Sequence, residues 1–300
     1  MKLLVTGAAG DFGRDLVPLL ARDHEVRATD VVATSPPCEF VQADLLDAEA
    51  LPVLVEGRDA VVHLAAKLPP RQPTTRECFD VNATASALVM EAAAAAGVRR
   101  LVYVSTVWAT GHGPEEEPRP IDEDAPWRPI CCYGVTKLLG EMAAEYYARM
   151  TDLSVTVLRM CGYARCPSLG PDGWMDWARP DWPELVLHLT RPGQKLFDPL
   201  DLLDAVGAAL DMEHRFARYV VGQQWPFQAE DAETLRTEPE RAWDRYYAGA
   251  LELFSELGVH PAELHFFYSV RRFSEATGWR QRLTLDQVAR RYLARRGDRL

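Results

Sequence analysis

A phenol and an ammonium stand four residues apart in Tyr133-Gly134-Val135-Thr136-Lys137. On a helix the i, i+4 spacing puts both on one face. A lysine ammonium beside a phenol favours the phenolate, which lowers the tyrosine pKa toward a value useful for proton transfer. Such a pair is common on ordinary helix surfaces, so its meaning depends on its surroundings. Ser105-Thr106 supplies two hydroxyls at the end of an apolar run that reads as a strand. In an open α/β sheet the carboxyl ends of strands are where ligands bind.

A second group of residues offers a place for phosphate. Gly7, Gly10 and Gly13, within Thr6-Gly7-Ala8-Ala9-Gly10-Asp11-Phe12-Gly13, fall between a strand and a helix. A tight turn, a close approach of phosphate to backbone, and a close helix–strand contact all require the absence of a side chain. The helix N-terminus then offers N–H groups and the positive end of a dipole. Placed at the end of a first strand, this spacing reads as a site for the pyrophosphate of a dinucleotide. Asp30 ends the second strand. A carboxylate there accepts hydrogen bonds from the adenosine ribose and repels a 2′-phosphate, which favours NAD over NADP. Arg27 lies within that strand and is poorly placed to clamp a phosphate. With such a cofactor, Lys137 can also hydrogen-bond the nicotinamide ribose.

The elements that must position these groups alternate. Strands are expected over residues 2–6, 26–30, 39–42, 60–65, 101–105 and 154–160. Helices are expected over 12–21, 47–55, 77–96 and 133–150, the third being alanine-rich and stopped by Gly97. Strands separated by helices imply parallel pairing with right-handed crossovers, hence an α/β doubly wound parallel sheet. Beyond residue 160 the pattern changes. Residues 163–200 are rich in Pro, Gly and Trp and show no clean period, so they read as an excursion from the sheet. Residues 201–212 read as a helix, 219–222 as a strand, 239–257 as a helix and 284–295 as a basic terminal helix. The domain organisation expected is a dinucleotide-binding domain over 1–160 and a small C-terminal substrate lobe over 161–300, with segments around 198–222 returning to the first domain. Residues 113–129 are proline-rich and acidic, and read as a loop near the mouth of the site.

The chain has 300 residues, 48% hydrophobic and 26% charged, with a formal net charge of −11. That balance argues against nucleic acid or an anionic membrane surface as a partner. No apolar run approaches the ~20 residues that span a bilayer. Met1-Lys2 leads straight into an apolar strand, so no secretory signal is expected, and a cytoplasmic location with reduced thiols is. The cysteines, Cys38, Cys78, Cys131, Cys132, Cys161 and Cys166, fit no zinc spacing, so no metal is expected. They read as small hydrophobes, with the adjacent pair Cys131-Cys132 open to reactivity.

Taken together, the motifs resemble the extended short-chain dehydrogenase/reductases of the NAD-dependent epimerase/dehydratase type. The resemblance rests on the loop over 6–13, Asp30, Asp44-Leu45, His63-Leu64-Ala65-Ala66, Asn82 in Val81-Asn82-Ala83-Thr84, Ser105-Thr106 and Tyr133 to Lys137. It covers residues 1–160; the rest matches loosely, through 201–210 and Ala276-Thr277-Gly278-Trp279. It implies a Rossmann-type fold with NAD as cofactor, Tyr133 as general acid/base, and Lys137 lowering its pKa and holding the ribose. Thr106 would hydrogen-bond the reacting oxygen, with Ser105 as neighbour and possible substitute. Gly7, Gly10, Asp11, Phe12 and Gly13 would hold the pyrophosphate. Asp44 and Leu45 would lie by the adenine, Leu64, Ala65 and Ala66 along the cofactor, and Asn82 in a structural or cofactor-side role. His63 reads as a strand-end core residue and His112 as a loop histidine. Family members often dimerise through helices corresponding to 77–96 and 133–150, which implies a homodimer.

The resemblance also narrows the reaction. Sugar 4,6-dehydratases of this kind carry an Asp-Glu pair directly after the catalytic Thr, because eliminating water needs an extra acid and base. Here Val107 and Trp108 stand there, and neither transfers protons. An epimerase, which keeps its NADH and returns the hydride to the other face, and a dehydrogenase, which releases it, remain open. Nucleotide-sugar enzymes often show a motif like L-R-x-x-N-x-Y-G-P after the sixth strand. This chain keeps Leu158-Arg159 and departs at Gly162-Tyr163-Ala164-Arg165-Cys166. A smaller sugar or sugar acid, as in uronate dehydrogenases, fits that departure. Arg165, Arg179 and Arg191 would meet an anionic substrate or solvent, and Trp174, Trp177 and Trp182 would stack on a ring or form lobe core. A non-catalytic sensor or scaffold typically loses the Tyr or the Lys, and both are present.

Overall fold

In a computed structural model, which describes residues 1–68, 74–111, 119–163, 182–191, 194–196 and 198–297, the chain divides into two compact units. The first comprises Met1–His112, Pro126–Met160 and Leu202–Tyr219, the second Gly113–Ala125, Cys161–Asp201 and Val220–Leu300.

The first unit is built on strands of which the central ones, buried on both faces, read as near-continuous apolar runs, while the outer two carry charged and polar residues. They are β1 (Lys2–Thr6), β2 (Glu25–Asp30), β3 (Glu39–Gln42), β4 (Ala60–His63), β5 (Arg100–Thr106) and β7 (Ser154–Met160). With β8 (Phe216–Val221) they form one sheet in the order β3-β2-β1-β4-β5-β7-β8, and the ladders from β3 to β7 are all parallel. The order reverses between β1 and β4, the switch point at which such sheets open a crevice beyond their strand ends. The helices are α1 (Asp11–Leu20), α2 (Ala50–Val55), α3 (Thr75–Cys78), α4 (Ser86–Ala95) and α5 (Cys132–Met150). Leu51, Leu54, Val89, Met90, Ala144 and Ala148 on these helices share a core with Leu4, Val61, Leu101 and Val155 of the sheet. Wholly buried alanines at 93, 144 and 148 carry only a methyl group, so α4 and α5 can pack close to their neighbours.

The helix expected over 77–96 is not uniform. α3 and α4 are joined by a π-helical segment, Phe79–Ala85. The cause is Asn82, whose buried amide leaves the helix to pair with the Lys67 backbone: Oδ1 accepts from Lys67 N at 2.7 Å, and Nδ2 donates to Lys67 O at 3.1 Å. One-residue expansions of this kind mark places where a helix yields to another demand. The stop is as expected, with Gly97 at φ +73°.

The second unit has its own core. Trp243, Phe254, Leu235 and Val288 pack together from α8 (Ala232–Thr237), α9 (Pro239–Tyr246), α10 (Ala250–Leu257) and α12 (Leu285–Gly297), with Phe227 joining from the segment before α8. Trp225, Phe227 and Trp243 meet nearly perpendicularly, at 71–83°, the arrangement that aromatic quadrupoles prefer. The helix expected over 239–257 is two helices, because Gly249 takes a left-handed conformation at φ +84°. Pro239 starts α9 and separates it from α8. The stretch expected to be irregular contains α6 (Trp182–Leu189). β6 (Arg119–Ile121) and β9 (Phe266–Tyr268) form a parallel pair that is too short to show an alternating pattern. α11 (Arg271–Thr277) ends at Gly278, also left-handed. Among the described residues no helix is long and apolar enough to cross a membrane.

Asp201, near the start of α7 (Pro199–Asp211), is wholly buried. Its Oδ1 accepts from Arg282 N at 2.6 Å, and its Oδ2 has no partner among the described residues. Burial pushes the carboxyl up to about 7. Since the folded state favours the protonated form, this group supports folding in acid and loses that support as pH rises toward 7. A carboxyl displaced from about 4 to about 7 opposes folding by up to about 4 kcal/mol once ionised. Asp201→Asn keeps the Oδ1 acceptor without the charge. Its thermal midpoint should match wild type near pH 4 and exceed it increasingly up to pH 8. A variant less stable than wild type at pH 8 would contradict this account.

Candidate active site

The turn after β1 leaves no room for side chains. Gly7 sits at φ +75°, and a Cβ there would stand 2.7 Å from Ala65 N. At Gly13 a Cβ would stand 2.2 Å from Gly7 O. Gly10 N donates to Gly7 O at 3.1 Å, and Gly10 precedes α1 with no side-chain cap over the first turn, where Asp11 and Phe12 lie. Asp30, at the end of β2, reaches back to this turn. Its Oδ2 accepts from Ala9 N at 2.9 Å and its Oδ1 from Val32 N at 2.9 Å. Arg27 is committed elsewhere, to Glu39 and to the carbonyls of Val53 and Leu54. Leu64, Ala65 and Ala66 follow β4 half-buried, with Leu64 N on Thr6 O and Ala65 N on Thr6 Oγ1. Asp44 is exposed, while the Leu45 side chain belongs to the core.

β5 and α5 bring the hydroxyls and the ammonium to the same end of the sheet. Thr106 closes β5, and its Oγ1 accepts from Trp108 N at 3.2 Å. Cys131 caps α5, its Sγ accepting from Gly134 N at 3.4 Å. Tyr133 lies in the first turn. Burial pushes its phenol up, the Cys131 thiol acts in the same direction, and a hydrogen bond with Thr106 opposes both. In the chain alone, therefore, the phenol is raised rather than lowered: burial dominates, and the opposing contribution comes from Thr106 rather than from Lys137. Lys137, one turn on, is itself buried. Its Nζ lies 4.2 Å from the centroid of the Tyr103 ring and has no hydrogen-bond partner among the described residues. Burial brings the ammonium down to about 7, against the opposing charge of Glu141.

Ser105 and Thr106 diverge, as successive strand residues must. Ser105 Oγ donates to Glu141 Oε1 at 2.6 Å, so Ser105 serves the layer under α5 and does not stand in for Thr106 at Tyr133. Arg159, the cross-strand partner of Ser105 on β7, meets the same carboxylate, with Nη2 to Oε2 at 2.8 Å. Arg218 joins from β8, Nε to Glu141 Oε2 at 3.1 Å and Nη2 to Glu145 Oε2 at 2.6 Å. The sequence reading overlooked Glu141 and Arg218. The available signal was a charge on an inward position: Glu141 stands at i+4 from Lys137, on the face that must pack.

His63 is wholly buried, between Thr6 Oγ1 at 2.8 Å from Nδ1 and Ser86 Oγ at 2.9 Å from Nε2, and stacks on Tyr103. Burial, with Lys137 acting the same way, holds it down to about 3, so it is a neutral spacer in the core. Asn82 Nδ2 also donates to Thr136 Oγ1 at 3.1 Å, tying the π segment to the turn between Tyr133 and Lys137. His112, Ala164, Arg165, Cys166, Trp174, Trp177 and Arg179 lie outside the described residues, as does the side chain of Trp182. Among the described residues no cluster of His, Cys, Asp or Glu could hold a metal ion.

Residues 3–163 match the NAD dependent epimerase/dehydratase family. L-arabinose 1-dehydrogenase (NAD(P)(+)) of Haloferax volcanii is 36% identical over 170 residues, 53% of this chain and 66% of that protein. UDP-glucose 4-epimerase of Mycolicibacterium smegmatis is 34% identical over 168 residues, 51% of this chain and 53% of that one. The matches thus span between about half and two thirds of these relatives' lengths. The solved structure of MoeE5 in complex with UDP-glucose and NAD superposes with a TM-score of 0.67 at 24% identity over 99% of both chains, a likeness of fold. By the match over more than half its length, on a sheet wound as that fold requires, the chain belongs to the NAD dependent epimerase/dehydratase family.

Proposed function

We propose that the chain is an NAD-dependent oxidoreductase or epimerase acting on a carbinol carbon of a sugar or nucleotide sugar, with Tyr133 as general acid and base. The observation that carries this reading is the convergence, within the first unit, of Thr106, Tyr133 and the Lys137 Nζ, which has no hydrogen-bond partner among the described residues, at the strand ends. The residues present fit NAD in two respects: the turn before α1 is packed so tightly on its own backbone that a Cβ at Gly7 or Gly13 would collide with it, which leaves main-chain N–H groups of the helix N-terminus for a phosphate, and a buried ammonium has no acceptor among the described residues and suits one such as a ribose hydroxyl. Gly7, Gly10, Asp11, Phe12 and Gly13 would hold the pyrophosphate. Asp30 and Asp44 would accept from the adenosine half, with Leu45, Leu64, Ala65, Ala66 and Asn82 shaping the cleft. When bound, NAD supplies a hydride acceptor. Tyr133 removes the carbinol proton, Thr106 hydrogen-bonds the same oxygen, and Lys137 stabilises the phenolate that initiates the step. A substrate role for the second unit and a cytoplasmic location, which suits its free thiols, belong to the same proposal.

A second reading, a dehydrogenase of a small sugar or sugar acid, is favoured by the departure at 162–166 and by the likeness to an L-arabinose dehydrogenase. Incubating the NAD-loaded protein with sugars, sugar acids and nucleotide sugars separates the two. Accumulating NADH supports the dehydrogenase; interconversion without net reduction supports the epimerase. Tyr133→Phe should lower turnover by about 10²–10⁴-fold and leave NAD affinity intact. Turnover unaffected by this change would remove the acid/base role.

The homodimer in this proposal draws on one stripe of α5. Leu139, Met142, Tyr146 and Met150 recur at i, i+3, i+7 and i+11, and all are exposed, up to 66% at Met150. An apolar row of this length on an outer face suits a second copy of the same helix. Met142→Glu combined with Tyr146→Glu should convert a two-copy species to a single copy in light scattering. A wild type already monomeric at micromolar concentration would refute the dimer.

A further inference from the structure

Trp108 has no role in the proton path, yet its ring touches the residue at the centre of that path. It sits on the 3-10 turn Val107–Ala109 that follows Thr106. Its indole lies 6.0 Å from the Tyr133 ring, centroid to centroid, with the planes at 81°. The side chain is nevertheless 48% exposed. A tryptophan placed for packing buries most of its surface, as Trp243 does here. Because the pairing with Tyr133 is perpendicular, no aromatic ring stacks face to face on the indole among the described residues. The turn beneath it is held by hydrogen bonds on both sides. Trp108 N donates to Thr106 Oγ1, and Thr110 Oγ1 donates to Val107 O at 2.6 Å. Trp108 O lies 2.4 Å from where a Cβ on Gly134 would be, so α5 packs directly against this backbone.

We infer that the open indole of Trp108 is a stacking platform for the C–H face of the substrate's sugar ring, which makes it a specificity-determining residue favouring cyclic carbinols over open-chain ones. The inference rests on the reading above that the substrate is a sugar. A sugar ring carries hydroxyls on its rim and polarised C–H groups on its face, and these match the electron-rich face of an indole. A ring laid there has its rim beside the Tyr133 phenol, since the two aromatic rings are neighbours. A pre-fixed aromatic surface loses little conformational entropy on binding. An open-chain polyol presents the same carbinol chemistry without a flat apolar face, so it gains nothing from the indole.

The test uses the full-length NAD-loaded protein and a panel of monosaccharides, uronic acids, UDP-sugars and open-chain alditols, with binding followed by saturation-transfer NMR and turnover by NADH or product. Trp108→Ala should weaken cyclic sugars by about tenfold, expressed in KM more than kcat, and leave alditol binding, NAD affinity and thermal midpoint unchanged. Trp108→Phe, which keeps a ring, should retain most of the affinity and guards against a folding defect in the alanine variant. Equal losses for cyclic and open-chain ligands, no loss in Trp108→Ala, or no cyclic sugar bound by the wild type would each overturn the platform. If sugars bind through Trp108 but none is oxidised or isomerised, the platform stands and the oxidoreductase reading falls. If turnover proceeds with KM indifferent to Trp108→Ala, the reading stands and the platform falls.

Discussion

The carboxylate of Glu141 is the constraint around which the candidate site is arranged. It is wholly buried, and a buried carboxylate is tolerated only when its lone pairs are satisfied. Ser105, Arg159 and Arg218 satisfy them, each from a different strand, so α5 is fastened to β5, β7 and β8 at one point. Removing one member of such a set strands the others and costs about 3–5 kcal/mol. The same saturation explains Lys137. A lysine and a glutamate at i, i+4 ordinarily pair, but here both carboxylate oxygens are already engaged by donors with better reach. The ammonium is left over the Tyr103 ring without a hydrogen-bond partner among the described residues. Arg159 and Arg218 meet Glu141, and Arg218 and Arg149 meet Glu145, so both acids have cationic partners without the lysine, and desolvation is the largest influence on its pKa.

Behind the lysine, the molecule keeps the buried layer free of a further cation. His63 is neutral and bridges two hydroxyls, those of Thr6 and Ser86. Thr6 in turn accepts from Ala65 N, next to the glycine turn. The glycine turn after β1 and the turn that carries Tyr133 and Lys137 are thus linked through short polar contacts in a close-packed core. Close packing transmits displacement, so the spacing between the two halves of the site is fixed by the core and does not depend on either loop alone.

The sequence was most informative where one physical cause acted alone. Buried parallel strands show as apolar runs, so β1, β4, β5 and β7 were placed within a residue or two. Gly7 and Gly13 were legible because nothing but glycine fits there. It was least informative where a side chain serves two elements at once. Asn82 converts part of a regular alanine-rich helix to a π segment by bonding to Lys67, a partner fifteen positions earlier. Ser105 and Thr106 are adjacent and chemically alike, and only the alternation of the strand, with Glu141 on one side, separates their tasks. The breaks at Gly249 and Pro239 carried the usual punctuation, but they lie in a segment of mixed polarity where helical periodicity survives across a turn. The parallel pair β6 and β9 leaves no trace in either segment, because three residues are too few to show a period.

The two positions after Thr106 show how one backbone can support different chemistry. Their location is set by the hydrogen bond from Trp108 N to Thr106 Oγ1 and by the contact of the Trp108 carbonyl with Gly134, neither of which depends on the side chains. An acid pair there would add proton transfer beside the phenol. Val107 instead turns into the core, wholly removed from solvent, while Trp108 stays open. Exchanging an acid for an indole at a fixed position removes one charge and adds a broad apolar surface within 6.0 Å of the Tyr133 ring. That surface cannot move a proton, but it can discriminate by shape, and it does so without altering the geometry of Thr106, Tyr133 and Lys137. Variation at these positions would therefore change the surface beside the phenol without changing the placement of Thr106, Tyr133 and Lys137.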